Sequence, residues 1–108
     1  MKDQQIEKEI HEKGLDKAPR ISLDDIKKLM DRVLYTSQQP YGTTSTHVHG
    51  YLDGKFYLAS GHSAAVSMEN FDIDLGYRIA KDKAEAATKN KLWELEGYRL
   101  YAQLKEKQ

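Results

Sequence analysis

Three histidines fall where a hairpin would gather them. His47 and His49 are spaced by two, which on a strand puts both rings on one face, and His62 follows at a distance that a tight turn folds back toward His47. Three neutral imidazoles so placed can bind zinc or a similar ion. No carboxylate lies close by to complete or orient such a set, so half-buried rings among hydroxyls are the simpler reading, and His47, His49 and His62 are weak metal candidates. Ser63 follows His62 directly, in Gly61-His62-Ser63-Ala64-Ala65. This is not the G-x-S-x-G pattern of a nucleophile turn, and a small-residue packing turn accounts for it better. Glu69, Asn70, Asp72 and Asp74 are dense enough to hold a divalent cation. Capping of a following helix explains them without one.

The C-terminal half offers a different chemistry. Arg78, Lys81, Lys83, Lys89, Lys91 and Arg99 are interleaved with Tyr77, Tyr98 and Tyr101. Rings of this kind stack on a base while arginine holds phosphate. Asp82, Glu85, Glu94 and Glu96 dilute the field, so duplex nucleic acid is not an expected partner, and a salt-bridged helix surface is the bland alternative. Tyr77, Arg78, Tyr98 and Arg99, with Ser63 and Asn70, are the candidate ligand-binding residues. They suit a small phosphate-bearing ligand. No catalytic residue and no cofactor is indicated.

Composition narrows the field further. The chain has 108 residues, 17 basic and 17 acidic side chains and no cysteine. That excludes disulfide scaffolds, zinc–thiolate sites and cysteine nucleophiles. The start, MKDQQIEKEIHEKG, lacks the apolar stretch of a signal peptide, and no segment is apolar enough to span a bilayer. A cytosolic protein without membrane partners is expected. Between Tyr35 and Met68 the only charged side chains are Asp53 and Lys55. That uncharged middle, rich in Thr, Ser, Tyr, His and Gly, reads as sheet with a possible contact surface.

The elements that must position these residues can be placed from pattern. Residues 1–20 read as a flexible or partly helical arm, and 21–108 as one domain. Ser22-Leu23-Asp24-Asp25 has the form of a capping box. Leu23, Ile26, Leu29, Met30, Val33 and Leu34 follow at helical spacing, predicting a helix of about three turns that ends near Tyr35. Thr43 to Gly61 predicts a β-hairpin around Asp53-Gly54. A two-residue loop pairs Leu52 with Lys55 and groups His47, His49, Tyr51, Phe56, Leu58 and His62. A three-residue loop pairs Leu52 with Phe56 and groups Val48, Leu52, Phe56 and Leu58, sending His47 and His49 to the other face. Burial favours the second. Ser67 or Asn70 would cap the last helix. In that helix Ile79, Ala86, Trp93 and Leu100 recur every seven residues and predict a buried seam. Unbroken, it would run roughly 50 Å, against a radius of gyration of about 13 Å for a compact domain of this length. Either it breaks, near Gly97 or Thr88-Lys89-Asn90, or it projects and packs on another subunit. The second is favoured, so a homo-oligomer is expected. The fold class is α+β, a β-hairpin or small antiparallel sheet packed on an N-terminal helix and a long C-terminal helical segment.

GHSAAVSMENFDIDLGYRIA, followed by KLWELEGYRL, closely resembles a family of small tailed-bacteriophage proteins named for phage gene products 49 and 66. Its members carry G-x-S-A-x-V-x-x-E-N-F-D-x-x-x-G-x-x-I-A and then W-x-L-E-G-Y. Here the first block is matched by Gly61, Ser63, Ala64, Val66, Glu69, Asn70, Phe71, Asp72, Gly76, Ile79 and Ala80. The second is matched by Trp93, Leu95, Glu96, Gly97 and Tyr98. RISLDDIKKLMDRVLY is similar to the family's first helix, so the resemblance spans roughly Arg20 to Leu104. The interval from Ile79 to Trp93 is about four residues longer than usual, close to one helical turn. His62 stands where an acid is usual, and Tyr77 precedes Arg78. The resemblance implies a phage or prophage protein made in an infected bacterium, and it carries no catalytic residue with it. The function expected is a non-enzymatic binding protein, with sequestration of a nucleotide-type defence signal as its sharpest form. A module that inhibits or recruits a host protein is the alternative, and a histidine-based metal enzyme a third.

Overall fold

The computed structural model describes residues 2–107. Helix α1 spans Asp3–Glu12, α2 Leu23–Met30 and α3 Ile73–Glu106. Strands β1 (Val33–Gln38), β2 (Ser45–Leu52) and β3 (Phe56–Ala64) form an antiparallel sheet in the order β1-β2-β3, and a single 3₁₀ turn occupies Met68–Asn70. This is an α+β fold. The helices cover one face of the sheet, and the other is open.

The capping box at Ser22 is formed. The Asp25 backbone N–H donates to Ser22 Oγ at 3.1 Å, and the Ser22 N–H donates to the Asp25 carboxylate at 2.9 Å. These bonds hold the Asp25 carboxyl below its ordinary range. The helix they start is shorter than its apolar spacing predicts. It ends at Met30, and Val33–Gln38 is a strand paired with β2 from Val33↔Leu52 to Gln38↔His47. Val33, Tyr35 and Thr36 are β-branched or aromatic, and a neighbouring strand supplies the backbone partners that a third helical turn would otherwise provide. The hairpin is therefore two strands of a three-stranded sheet. Glu7 ties α1 to the start of α2: Arg20 donates to its carboxylate at 2.5 and 3.3 Å, and the Leu23 N–H at 3.2 Å. Asp3 pairs with Lys89 of α3.

Both hairpin expectations are realised in part. Asp53 and Gly54 have φ of 57° and 70°, the left-handed pair that Asp-Gly supplies. Lys55 N–H closes the turn on the Leu52 carbonyl at 3.0 Å, while Leu52 faces Phe56 in the ladder. A bulge between Gly50 and Tyr51 on one side and Ala59 and Tyr57 on the other then shifts the register by one residue. Val48 and Leu58 point into the core as the three-residue loop predicts, but Phe56 is 57% exposed. Arg32 clamps the turn, its Nε and guanidinium NH2 donating to the two Asp53 carboxylate oxygens at 2.9 and 2.7 Å.

Helix α3 is unbroken through Gly97 and Thr88-Lys89-Asn90, and it is capped by Asp72 rather than Ser67 or Asn70. The Asp72 carboxylate accepts from the Leu75 N–H at 2.9 Å, whereas Ser67 and Asn70 are engaged in the preceding 3₁₀ turn. Its length makes the molecule 57 Å long, with a radius of gyration of 17.8 Å. The buried seam is not the one read from the seven-residue repeat. Ala80, Ala84, Thr88 and Leu92, spaced by four, face the sheet, while Ile79 is 40% exposed and Ala86 is also exposed. The reason is proximity. A Cβ placed on Gly61 of β3 would lie 2.1 Å from the Ala80 carbonyl oxygen and 2.4 Å from the Ala84 nitrogen. Only small side chains fit a helix whose backbone rests on a strand. Larger ones find room where the helix leaves the strand, with Leu92 joining Ile26, Val33 and Leu58 in the main core and Trp93 packing at its margin.

Two outcomes follow from this packing. Gly61→Ala should lower unfolding stability by about 3 kcal/mol, at the upper end of overpacking costs because the obstructing atoms are backbone. Gly97→Ala, with nothing within 4 Å of its new methyl, should raise stability by about 0.5–1 kcal/mol in urea titrations of both variants. The Arg32 guanidinium holds the Asp53 carboxyl below its ordinary 3.8, mainly through their hydrogen bonds. A carboxyl lowered by folding stabilises the native state above that ordinary value, and the gain fades as pH falls through the folded value. Arg32→Leu should therefore flatten the acid limb of the stability–pH curve below about pH 4 and leave its shape near neutrality unchanged.

Candidate functional site

The register shift decides what the open face of the sheet carries. Past the bulge His47 faces His62 directly, with ring centroids 4.5 Å apart and planes 28° from parallel. His49 lies 6.3 Å from His47, with the two ring planes nearly parallel. The His49 Nδ1 is 2.6 Å from Ser60 Oγ, and Ser60 Oγ is 2.6 Å from the Tyr57 hydroxyl. Tyr57 meets the edge of Tyr51 at 5.7 Å. On β1 the same face continues through Leu34, Thr36 and Gln38, which pair with Tyr51, His49 and His47. No carboxylate or ammonium stands among these positions; along the strands the charges are Arg32, Asp53 and Lys55 at the hairpin tip, and Lys83 of α3 donates to the His62 carbonyl at 3.2 Å. The result is a platform of three imidazoles and two phenols, flanked by hydroxyl and amide groups.

These rings do not make a metal cage. Imidazole binds a metal in its ring plane, and stacked rings aim their nitrogens side by side rather than at a common point. Among the described residues no group of three or more His, Cys, Asp or Glu is placed to hold a metal ion.

A second feature lies where β3 meets the start of α3. A cavity of about 140 Å³ is lined by Thr44, Ser63, Ala64, Ala65, Asn70, Phe71, Asp72, Leu75, Gly76 and Ile79. Several of its polar groups are already committed to backbone. Ser63 is 8% exposed, and its Oγ donates to the Gly76 carbonyl at 2.7 Å. Thr44 donates to the Ala65 carbonyl at 2.5 Å, and Asp72 caps α3. What remains is a mainly apolar hollow with one carboxylate at its wall and no cation, a poor host for phosphate.

The residues read from the sequence as one ligand set are thus spread over the molecule. Ser63 and Asn70 share the cavity. Ser63 is buried on the helix side of the sheet and His62 exposed on the other, so no serine–histidine pair forms. Tyr77 is half-buried beside a shallow hollow lined by Ser37, Gln38 and Thr46, and Arg78 is exposed. Tyr98 and Arg99 are roughly 30 Å further along α3, with Tyr98 71% exposed and Arg99 paired to Glu96 at 2.6 Å. Within one chain the two clusters cannot touch one small molecule. Lys81, Lys89 and Lys91 are held in ion pairs with Glu85, Asp3 and Glu94, as a salt-bridged helix surface requires. Glu69 lies in the 3₁₀ turn that precedes α3, and Asp74 in the first turn of α3. Sequence reasoning missed Ser60, Tyr57, Thr36 and Gln38 as companions of the histidines, because both the bulge and β1 are needed to bring them onto that face.

The cavity and the family signature coincide. Ser63, Ala64, Asn70, Phe71, Asp72, Gly76 and Ile79 all belong to the first signature block and all line the hollow. A family model described as Phage protein (N4 Gp49/phage Sf6 gene 66) family matches residues 3–104. The chain belongs to this family of phage proteins. No curated protein and no solved structure matches it. Among the described residues no helix is long and apolar enough to cross a membrane.

The Asp72 cap fixes the wall shared by the cavity and α3. Asp72→Ala should cost about 1 kcal/mol, and Asp72→Asn, which keeps the acceptor, should retain most of it. Thermal unfolding of the two variants side by side makes the comparison.

Proposed function

We propose that the chain acts in the cytoplasm of the infected bacterium as a non-enzymatic binding protein, and that the open face of its sheet takes a planar ring such as the base of a nucleotide-type defence signal. The observation that carries this reading is the uncovered platform of His47, His49, His62, Tyr51 and Tyr57, with ring centroids 4.5–6.4 Å apart between neighbours. Stacking a base on such rings is worth about 1–3 kcal/mol each. Ser60, Thr36 and Gln38 supply hydrogen-bonding groups beside the rings, and the absence of carboxylates leaves an anionic ligand unopposed. Lys83, whose Nζ donates to the His62 carbonyl at 3.2 Å and which forms no ion pair among the described residues, brings a cation to the β3 edge beside the platform. Tyr77, Arg78, Tyr98 and Arg99 lie on α3, and the platform reading does not depend on them.

The test is a thermal-shift and calorimetric screen of the purified protein against cyclic mono- and dinucleotides. A tight ligand raises the unfolding midpoint, and the shift should vanish in Tyr57→Ala and His47→Ala while persisting in Arg99→Ala. A screen with no binder, or a binder indifferent to Tyr57 and His47, removes the proposal.

A further inference from the structure

The rim of the signature cavity is apolar and uncovered. Leu75 and Ile79 line it and are 47% and 40% exposed, and Val66, on the connection between the cavity walls at Ala65 and Asn70, is fully exposed. A contiguous patch of this kind marks a protein contact rather than a solvated surface. The open sheet face, by contrast, is polar and aromatic.

The chain exposes more surface than a compact monomer of its mass. A folded monomer of 12.4 kDa exposes about 6,100 Å². This chain exposes 8012 Å², an excess of about 1,900 Å². Its radius of gyration of 17.8 Å exceeds the roughly 13 Å of a compact domain of equal length. Part of that excess lies along the projecting end of α3, where Tyr98 and Tyr101 are exposed; hiding about half of it on each of two copies would bury roughly 1,900 Å² in total, the size of a stable interface. The patch also carries both halves of a self-complementary fit. Val66 is a protruding aliphatic knob, and the hollow beside it, about 140 Å³, is close to the volume that admits a six-carbon ring. A two-fold contact requires knob and hole on the same surface. Charge fits the same arrangement. Among the described residues Arg78, Glu69 and Asp74 have no ion-pair partner within the chain, and they flank the patch with opposite signs.

We propose that the protein is a homodimer joined at this patch, with Leu75 and Ile79 of one copy against their counterparts and Val66 of each copy seated in the partner's cavity. The signature block is then a dimerisation site, and its hollow is filled by a second copy of the chain. The proposal stands independently of the platform on the other side of the molecule.

Sedimentation equilibrium of the full chain tests it. The wild type should run at twice 12.4 kDa, with an unfolding midpoint that rises with protein concentration. Ile79→Glu should weaken association by at least about 100-fold, the effect of losing a central contact, with helical circular dichroism retained because the side chain lies outside the core. Val66→Glu, on the connection and outside any helix or strand, should do the same. Tyr101→Glu, far along α3, should leave the dimer intact. A wild-type monomer at all concentrations overturns the proposal, including one that binds a host protein through this patch. A dimer indifferent to both Val66→Glu and Ile79→Glu overturns it as well.

Discussion

The structure depends on how closely α3 approaches the sheet. At Gly61 the helix backbone takes the space a side chain would fill, and at Gly50 a Cβ would lie 2.7 Å from Thr88 Oγ1. These two glycines and the seam of Ala80, Ala84 and Thr88 form one close contact, backbone against backbone at Gly61 and backbone against the Thr88 side chain at Gly50. Such a contact gains little from large apolar side chains. It relies on dispersion at short range and on the exclusion of water. It also leaves the Thr88 hydroxyl buried with no hydrogen-bond partner among the described residues, a group that normally costs about 1–3 kcal/mol when unpaired. Tolerance of that cost shows how tightly the position is constrained by its neighbours. The larger core residues, Ile26, Leu58 and Leu92, lie where α2 widens the gap between helix and sheet.

The same approach explains the shape of the surface. Because the helix face toward the sheet is built of small residues, the larger apolar side chains of α3 are displaced to its flanks and outer side. Trp93 is partly covered by α1, and together they bound a groove with Ile6, Ile10 and Ile21. Leu75 and Ile79 have no such cover. The hairpin has its own independent anchor in the Arg32–Asp53 ion pair, which joins the end of α2 to the turn. That anchor holds the turn end of the ladder in one register, and the bulge sets the other end one residue out of phase with it.

Local signals were legible in the sequence and long-range ones were not. The Ser22 box and the Asp53-Gly54 turn rest on chemistry among near neighbours, and both appear as read, while the sequence left open whether α3 breaks and the structure shows it continuous. The third strand was hidden because Val33-Leu34-Tyr35 continues the helical spacing of Leu23 to Met30; only pairing with β2 separates the two readings. The seven-residue repeat of Ile79, Ala86, Trp93 and Leu100 is a real periodicity, but within the chain a different row, Ala80, Ala84, Thr88 and Leu92, meets the sheet. Hydrophobicity marks what avoids water, whereas the sheet selects by size, and Ala80, Ala84 and Thr88 are inconspicuous on a hydrophobic scale. The candidate ligand residues were grouped by type, yet 21 positions on a straight helix separate Arg78 from Arg99. Both hairpin registers held part of the answer, since a one-residue bulge cannot be located from alternation alone.

Covering a sheet on one side only gives the molecule two unlike surfaces back to back, across a body whose shortest extent is 19 Å. Whatever occupies the helix side leaves the imidazole and phenol side unobstructed. An assembly built through the helices would turn its sheets outward, so that identical stations are held at a fixed spacing. Such an object can engage a repeated or two-headed target with an effective concentration set by its own geometry, and its grip would then exceed that of either station alone.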